Sequence, residues 1–355
     1  MVTESMSKSS SKPRTRKTQV VAKLALAGVS TLIAIGAGEL SLRAAPTSEL
    51  YMNMRNVVQQ QCTRPHPQCQ YVNRENYQGE FNNREFRTRV KINSQMLRDR
   101  EFPYEKLAGT RRCLVLGDSF AFGWGVEAEE TAAKVIEGSL SGAEVLNGGC
   151  SGWGSLQELA FLKEEGVRYH PDLVLLFYGE NDSIDNFTRY EFRRGRLGYA
   201  GAATGPGAEA ERFLLKHSAV WNLVAPLLPT KGGGAPAPTE PAAPPPYWKT
   251  LADSILEMQR VSREAGGRLV VVYTPSKGPN GLPMQGGTFA EMRSLCASHG
   301  IPFVDAIPAL QQAATTRPVY FDLDDHWTRD GHAAVGNAVA EFLKSENLLA
   351  GRSAR

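Results

Sequence analysis

Apolar residues recur along this chain with two different periods, and the order in which the periods follow one another predicts a fold. Runs with no polar alternation lie within Arg112 to Leu116, Glu144 to Leu146, Asp172 to Tyr178 and Leu269 to Tyr273, with a shorter one at Pro302 to Asp305. That is the pattern of strands covered on both faces. Helical spacing fills the intervals at Glu127 to Leu140, Ser155 to Gly166, Trp248 to Ala265, Phe289 to Ser298 and Gly331 to Lys344. In the second of these, Ser155 and Glu158 read as a capping box, with Leu156, Leu159 and Leu162 facing inward. Strand and helix alternate five times. The expectation is an α/β domain with a doubly wound parallel sheet and right-handed crossovers.

Three stretches depart from this alternation. Val20 to Gly38 is apolar apart from Lys23 and follows Lys8, Lys12, Arg14, Arg16 and Lys17. With Lys23 snorkelling, it approaches the roughly 20 residues that span a bilayer, and a basic flank stays inside. The chain therefore divides into a cytoplasmic basic tail (1–18), a transmembrane signal anchor (19–38) and an extracytoplasmic remainder, placed at a bacterial inner membrane facing the periplasm. Cleavage at the small residues of Ala34 to Gly38, giving a secreted protein, is the alternative. Residues 39–110 read as a stalk and accessory strand region. Within it Phe86, Thr88, Val90 and Ile92 alternate with Arg87, Arg89 and Lys91, as in a half-buried strand with a basic outer face. That face is either a solvated edge or a contact surface for an anionic polymer or lipid headgroups. The main domain covers 111–350 and carries a Gly/Ala/Pro-rich insertion at about 195–246, with a helical island at Glu211 to Leu228 and a disordered reading for Lys231 to Pro246.

Composition removes some function classes. Lys and Arg number 40 against 37 Asp and Glu, too small an excess to argue for nucleic acid. Of the five cysteines, Cys62 and Cys69 flank a short Pro-containing loop and read either as a bridge in an oxidising compartment or as two free thiols. Cys113, Cys150 and Cys296 lie in segments read as buried. The spacings fit no zinc pattern, and no metal or cofactor is expected.

The chemistry gathers after the strands. Gly117-Asp118-Ser119-Phe120 closes the first apolar run, Asn147 to Gly154 is a Gly-rich loop after the second, Gly179-Glu180-Asn181-Asp182 ends the third, and Phe321 to Trp327 precedes the last helix. Open α/β sheets place their ligands at the carboxyl ends of strands. These stretches supply a hydroxyl, an imidazole with acidic neighbours, and donors for an oxyanion, which is the minimum set for acyl transfer.

In their order these four blocks resemble those of the SGNH, or GDSL, hydrolases, over about Arg111 to Lys344 excluding the insertion. The resemblance implies a flavodoxin-like three-layer α/β/α fold. It implies Ser119 as nucleophile, His326 as base, and an oxyanion hole from the Ser119 N–H, the Gly152 N–H and the Asn181 amide. One position departs from the pattern: where the family usually has Asp three residues before the His, this chain has Leu323. Asp322, Asp324 and Asp325 are the candidate acids. Asp324 is chosen because residues two apart in an extended segment point the same way. The resulting Asp-x-His-Trp is similar to the stretch in alginate-type O-acetyltransferases. His332 is the rival base. Trp124, Trp153 and Trp327 share the site loops and serve either as platforms for sugar rings or as packing.

The function expected is a serine ester hydrolase that removes O-acyl groups, acetyl above all, from an extracytoplasmic polysaccharide or glycoconjugate. An acylated carbohydrate or lipid is the expected partner, beside the membrane. The alternatives are an O-acyltransferase on the same substrates and an inert membrane-tethered binding protein.

Overall fold

The structure, a computed structural model, describes residues 16–44, 62–82, 84–193, 196–199, 207, 210, 213, 214, 217–224 and 247–349. They belong to two compact units, one within residues 1–54 and 210–229 and the other within 55–209 and 230–355. The first unit is built on the helix Arg16–Ala44, of which Gln19–Ala44 is long and apolar enough to cross a membrane. At 1.5 Å per residue, its 26 residues extend about 39 Å. Late in this helix, Glu39 accepts hydrogen bonds from the Ser218 hydroxyl (2.9 Å) and from the Ala219 and Val220 amides (2.9 and 3.0 Å). A short helix, Ala219–Val224, begins there, inside the expected helical island. The expectations for the basic tail before Arg16, the stalk at 47–61 and Lys231 to Pro246 fall outside the described residues.

In the second unit the strands are β1 (Thr63–His66), β2 (Gln70–Asn73), β3 (Gln78–Asn82), β4 (Arg87–Lys91), β5 (Arg111–Gly117), β6 (Ala143–Asn147), β7 (Leu173–Gly179), β8 (Tyr190–Arg193), β9 (Arg196–Tyr199), β10 (Arg268–Thr274), β11 (Ser276–Lys277), β12 (Pro283–Met284) and β13 (Phe303–Asp305). Five of them form one parallel sheet in the order β6-β5-β7-β10-β13. Counted along the chain, that is the 2-1-3-4-5 order of flavodoxin-like folds, in which the winding reverses between the first and third strands. The crevice at this reversal lies at the carboxyl ends of β5 and β7, the two strands that lead into Ser119 and Asn181.

Both faces of the sheet are covered, which is why its strands show no alternation. Leu114, Leu116, Val174, Leu176 and Val271 pack with Phe161, Leu251, Ile255 and Met292 from helices on one side. Cys113, Val115, Leu173, Leu175 and Val270 pack with Ile136, Leu310, Val335 and Val339 on the other. Each fully buried side chain of this size stabilises the fold by about 1.5–3 kcal/mol.

Several expectations change in detail. The helix expected over Glu127 to Leu140 is broken at Thr131, which caps Ala132–Ser139 by accepting the Lys134 amide (3.4 Å). A helix the periodicity missed, Ile307–Ala314, carries Pro308 in its first turn, where the lost N–H costs nothing. The Ser155/Glu158 capping box is not what forms. Gly154 is the cap residue, Gln157 accepts its amide (3.2 Å), Glu158 is buried, and Leu156 is 41% exposed rather than inward.

Before β5 the accessory segment is packed structure. β3 and β4 pair antiparallel, and Phe81, Val90, Ile92 and Cys62 bury against Phe122 and Trp124 of the loop that follows β5. On the outer face Arg87 pairs with Glu80 (2.7 Å) and Arg89 with Glu127 (3.6 Å), as a solvated edge does. Cys62 and Cys69 are both buried and form no bridge with each other, and burial pushes both thiols up to about 12.

Candidate active site

The loop after β5 that carries Ser119 is shaped by one glycine and one carboxylate. Gly117 ends β5 with φ +150°, and a Cβ there would lie 2.7 Å from Ala121 Cβ and 2.8 Å from the Phe177 carbonyl. Asp118 caps the short helix Ser119–Phe122 by accepting the Phe120 amide (2.8 Å). Ser119 therefore stands at the first position of a helix, where an N–H has no partner in the preceding turn. In the loop after β6, Gly152 has φ +78°, and a Cβ would sit 2.9 Å from the Tyr71 hydroxyl. Among the described residues, neither the Ser119 N–H nor the Gly152 N–H donates to a protein acceptor.

His326 and Asp324 lie on a tight loop outside the sheet. Tyr320 bridges Trp327, and the loop closes through Phe321 N to His326 O (3.0 Å) and Thr328 N to Val319 O (3.0 Å). His326 Nε2 is 2.6 Å from Ser119 Oγ, and Nδ1 is 2.6 Å from Asp324 Oδ1. Because a carboxylate only accepts, Nδ1 carries the proton and Nε2 offers its lone pair to the serine hydroxyl. Asp324 is fully buried, whereas Asp322 and Asp325 are exposed. Asp324 Oδ1 also accepts the backbone N–H of His326 (3.1 Å), so the two-residue spacing locks the carboxylate onto the backbone of the residue whose imidazole it holds. The rival, His332, is buried elsewhere, its Nδ1 accepts the Ala132 amide (3.3 Å), and burial drives its pKa down to about 3.

The tryptophans are packing. Trp124, Trp153 and Trp327 are 2%, 1% and 0% exposed, so none presents a face to a sugar ring. Trp124 Nε1 donates to Asp324 Oδ2 (3.1 Å), Trp153 Nε1 donates to the Tyr71 carbonyl (2.9 Å), and Trp327 packs 4.7 Å from the Phe120 ring.

Asn181 gives its amide hydrogens to two carboxylates, Asp118 Oδ2 and Asp185 Oδ2, both at 2.9 Å. Behind them lie Glu158 and Asp182, both fully buried. Burial, with like charges nearby, raises the pKa of each well above the ordinary carboxylate range, and burial lifts Asp185 to about 6. Asp118 is raised too, chiefly by burial and against its bond from Asn181. No pattern along the chain marks this acid cluster, because Glu158 and Asp182 look like cap and turn residues.

Two charged residues of the accessory segment also reach the site. Arg98, 1% exposed, donates to the carbonyls of Phe122 (2.9 Å), Gly123 (2.5 Å) and Val126 (2.6 Å) in the loop that follows Ser119. Burial lowers its pKa to about 10, which leaves it cationic at neutral pH. Glu85 accepts the amides of Asp322 (2.7 Å), Leu323 (3.0 Å) and Asp324 (2.8 Å). Nothing in the periodicity marks either residue.

The family model described as GDSL-like lipase/acylhydrolase matches residues 115–334. No curated protein matches the chain. Among solved structures, it is similar to a member of the lipolytic protein G-D-S-L family from Veillonella parvula DSM 2008, with 12% identity over 65% of this chain and 97% of that one at a TM-score of 0.42. It is also similar to an acetylxylan esterase from Geobacillus stearothermophilus, solved as a catalytic mutant, with 15% identity over 70% of this chain and 100% of that one at a TM-score of 0.39. With its sheet order and a family match over more than half its length, the chain belongs to the GDSL-like lipase/acylhydrolases, the SGNH hydrolases, and is an ester-bond hydrolase.

Proposed function

We propose that the chain is a serine esterase working through an acyl-enzyme, with Ser119, His326 and Asp324 as its triad. The observation that carries this reading is the unbroken relay from Asp324 Oδ1 through the imidazole to Ser119 Oγ, 2.6 Å at each step. His326 Nε2 takes the hydroxyl proton as Ser119 Oγ attacks the ester carbonyl, then returns it to the departing alkoxide. Water, activated by the same imidazole, releases the acid. The N–H groups of Ser119 and Gly152 are the first two oxyanion donors. Asn181 is the third, and its service requires exchanging one carboxylate contact for substrate.

The apolar helix and its basic flank support a tethered enzyme outside the cytoplasm, and that compartment supports O-acyl, chiefly acetyl, groups on an exported polysaccharide or glycoconjugate as substrate. A sugar hydroxyl in place of water would make the same triad an O-acyltransferase. The inert-protein alternative rested on the shifted acid and loses that ground, since Asp324 reaches Nδ1. The test is labelling with a serine-reactive fluorophosphonate. The parent is expected to label, and Ser119→Ala and His326→Ala are not. A folded parent that stays unlabelled would remove the reading. Acetate release from acetylated polysaccharides, with and without an added acceptor sugar, then separates hydrolysis from transfer.

A further inference from the structure

The loop carrying Asp324 and His326 belongs to no sheet strand, yet the 2.6 Å contacts on both imidazole nitrogens demand that it be placed to within a few tenths of an ångström. We infer that Glu85, in the turn between β3 and β4, is a positioning residue for the triad, acting through the backbone of Asp322, Leu323 and Asp324. This rests on the triad reading given above.

Three observations converge on it. Glu85 Oε1 accepts the Asp322 and Leu323 amides and Oε2 the Asp324 amide, so one carboxylate holds three successive N–H groups, among them that of the triad acid. Hydrogen bonds to an ionised acceptor are about twice as strong as neutral ones. From the opposite side Lys277 donates to the Phe321 carbonyl (2.9 Å) and the Asp322 carbonyl (2.6 Å), gripping the other polarity of the same peptide groups. Beside Glu85, the Phe86 ring lies 6.0 Å from Trp124 and 5.1 Å from Phe321. It thereby joins the nucleophile loop to the acid loop. Trp124 in turn donates to the Asp324 carboxylate. One hairpin turn thus sets the backbone of the acid, and the aromatic next to it sets the ring that orients the carboxylate.

The test uses the full-length chain in detergent, with p-nitrophenyl acetate hydrolysis and hydrogen exchange as readouts. Glu85→Gln keeps the shape and one acceptor, and Glu85→Ala removes both. Expected are a kcat loss of about 30-fold or more for Ala with KM changed less than about threefold, and partial rescue, within about tenfold of the parent, for Gln. In an Asp324→Ala background, Glu85→Ala should cost no more than about twofold, because the group it positions is gone. The amides of 322–324 should be protected from exchange in the parent and lose protection in Glu85→Ala. An equal loss in both backgrounds, an unchanged kcat, or amides already unprotected in the parent would overturn the inference. A parent that protects these amides but neither labels nor hydrolyses would instead overturn the triad reading and leave the Glu85 clamp standing.

Discussion

The two halves of the proposed triad are held by different means. Ser119 is presented by the sheet: β5 ends at a glycine whose backbone only glycine adopts comfortably, Asp118 starts a helix, and the serine sits between them. His326 and Asp324 ride on a loop with one bridge of its own, and its placement comes from Glu85, Lys277 and Trp124, between 44 and 239 residues away in sequence. A strand end is positioned by hydrophobic burial, which tolerates many substitutions, whereas a side-chain clamp depends on individual polar contacts. The nucleophile should therefore survive perturbation of the accessory segment better than the acid–base loop does.

The largest effect tests the shared endpoint. Ser119→Ala is expected to remove ester hydrolysis by about 10⁴-fold or more with little change in the unfolding midpoint, since it deletes one hydroxyl bonded to His326 Nε2 and leaves the backbone of its loop untouched. Measurable turnover within tenfold of the parent would mean that the attacking group lies elsewhere. Next comes the choice of acid. Asp324→Asn should lower kcat by about 10³–10⁴-fold, because the amide can hold the wrong imidazole tautomer, while Asp322→Ala and Asp325→Ala stay within about twofold. If Asp322→Ala proved the more damaging, the two-residue spacing would have been misassigned.

Arg98 tests the other half. Its guanidinium serves three carbonyls of the nucleophile loop, and among the described residues it has no carboxylate within 4 Å. Arg98→Ala would leave those carbonyls buried, at about 1–3 kcal/mol each before relaxation. A net loss of about 3 kcal/mol in unfolding free energy is expected. Because the sheet still presents Ser119, kcat per folded molecule should fall by less than about tenfold. Denaturant unfolding alongside active-site titration separates the two, and a large fall in kcat with intact stability would contradict the contrast drawn between the halves.

What the sequence made legible follows the same division. Parallel strands announce themselves because burial on both faces removes every polar residue from runs such as Leu173 to Tyr178, and the loops that end them inherit their positions from the sheet. The places of Ser119, Asn181 and Gly152 at the carboxyl edge of the sheet were readable for that reason. The contact of Asp324 with His326 was readable because the two lie two residues apart. Glu85 and Arg98 were not, since a charged residue in a polar segment looks the same whether it faces water or a distant backbone. For the tryptophans the sequence left platform and packing both open, because nearness in sequence to Ser119, Gly152 and His326 says nothing about whether a ring faces the cleft or the core.

The smallest expected effect concerns the acid cluster beneath Asn181. Glu158 faces Asp118, Asp182 and Asp185, and burial raises its pKa above the ordinary 4.5. A carboxyl whose folded-state pKa is raised binds its proton more tightly in the fold than in the unfolded chain. Its contribution to stability is complete below pH 4.5 and is lost as pH rises through the folded value. Asp185 adds the same sign between 3.8 and about 6. Glu158→Gln mimics the protonated side chain and cannot ionise. It should match the parent near pH 4.5, then become the more stable of the two as pH rises, by about 1 kcal/mol or more. Denaturant unfolding of both proteins at pH 5, 6.5 and 8 measures this difference directly. A gap that stays constant across the series would show that Glu158 keeps one protonation state in both folded and unfolded chains, and that the cluster supports Asn181 by shape alone.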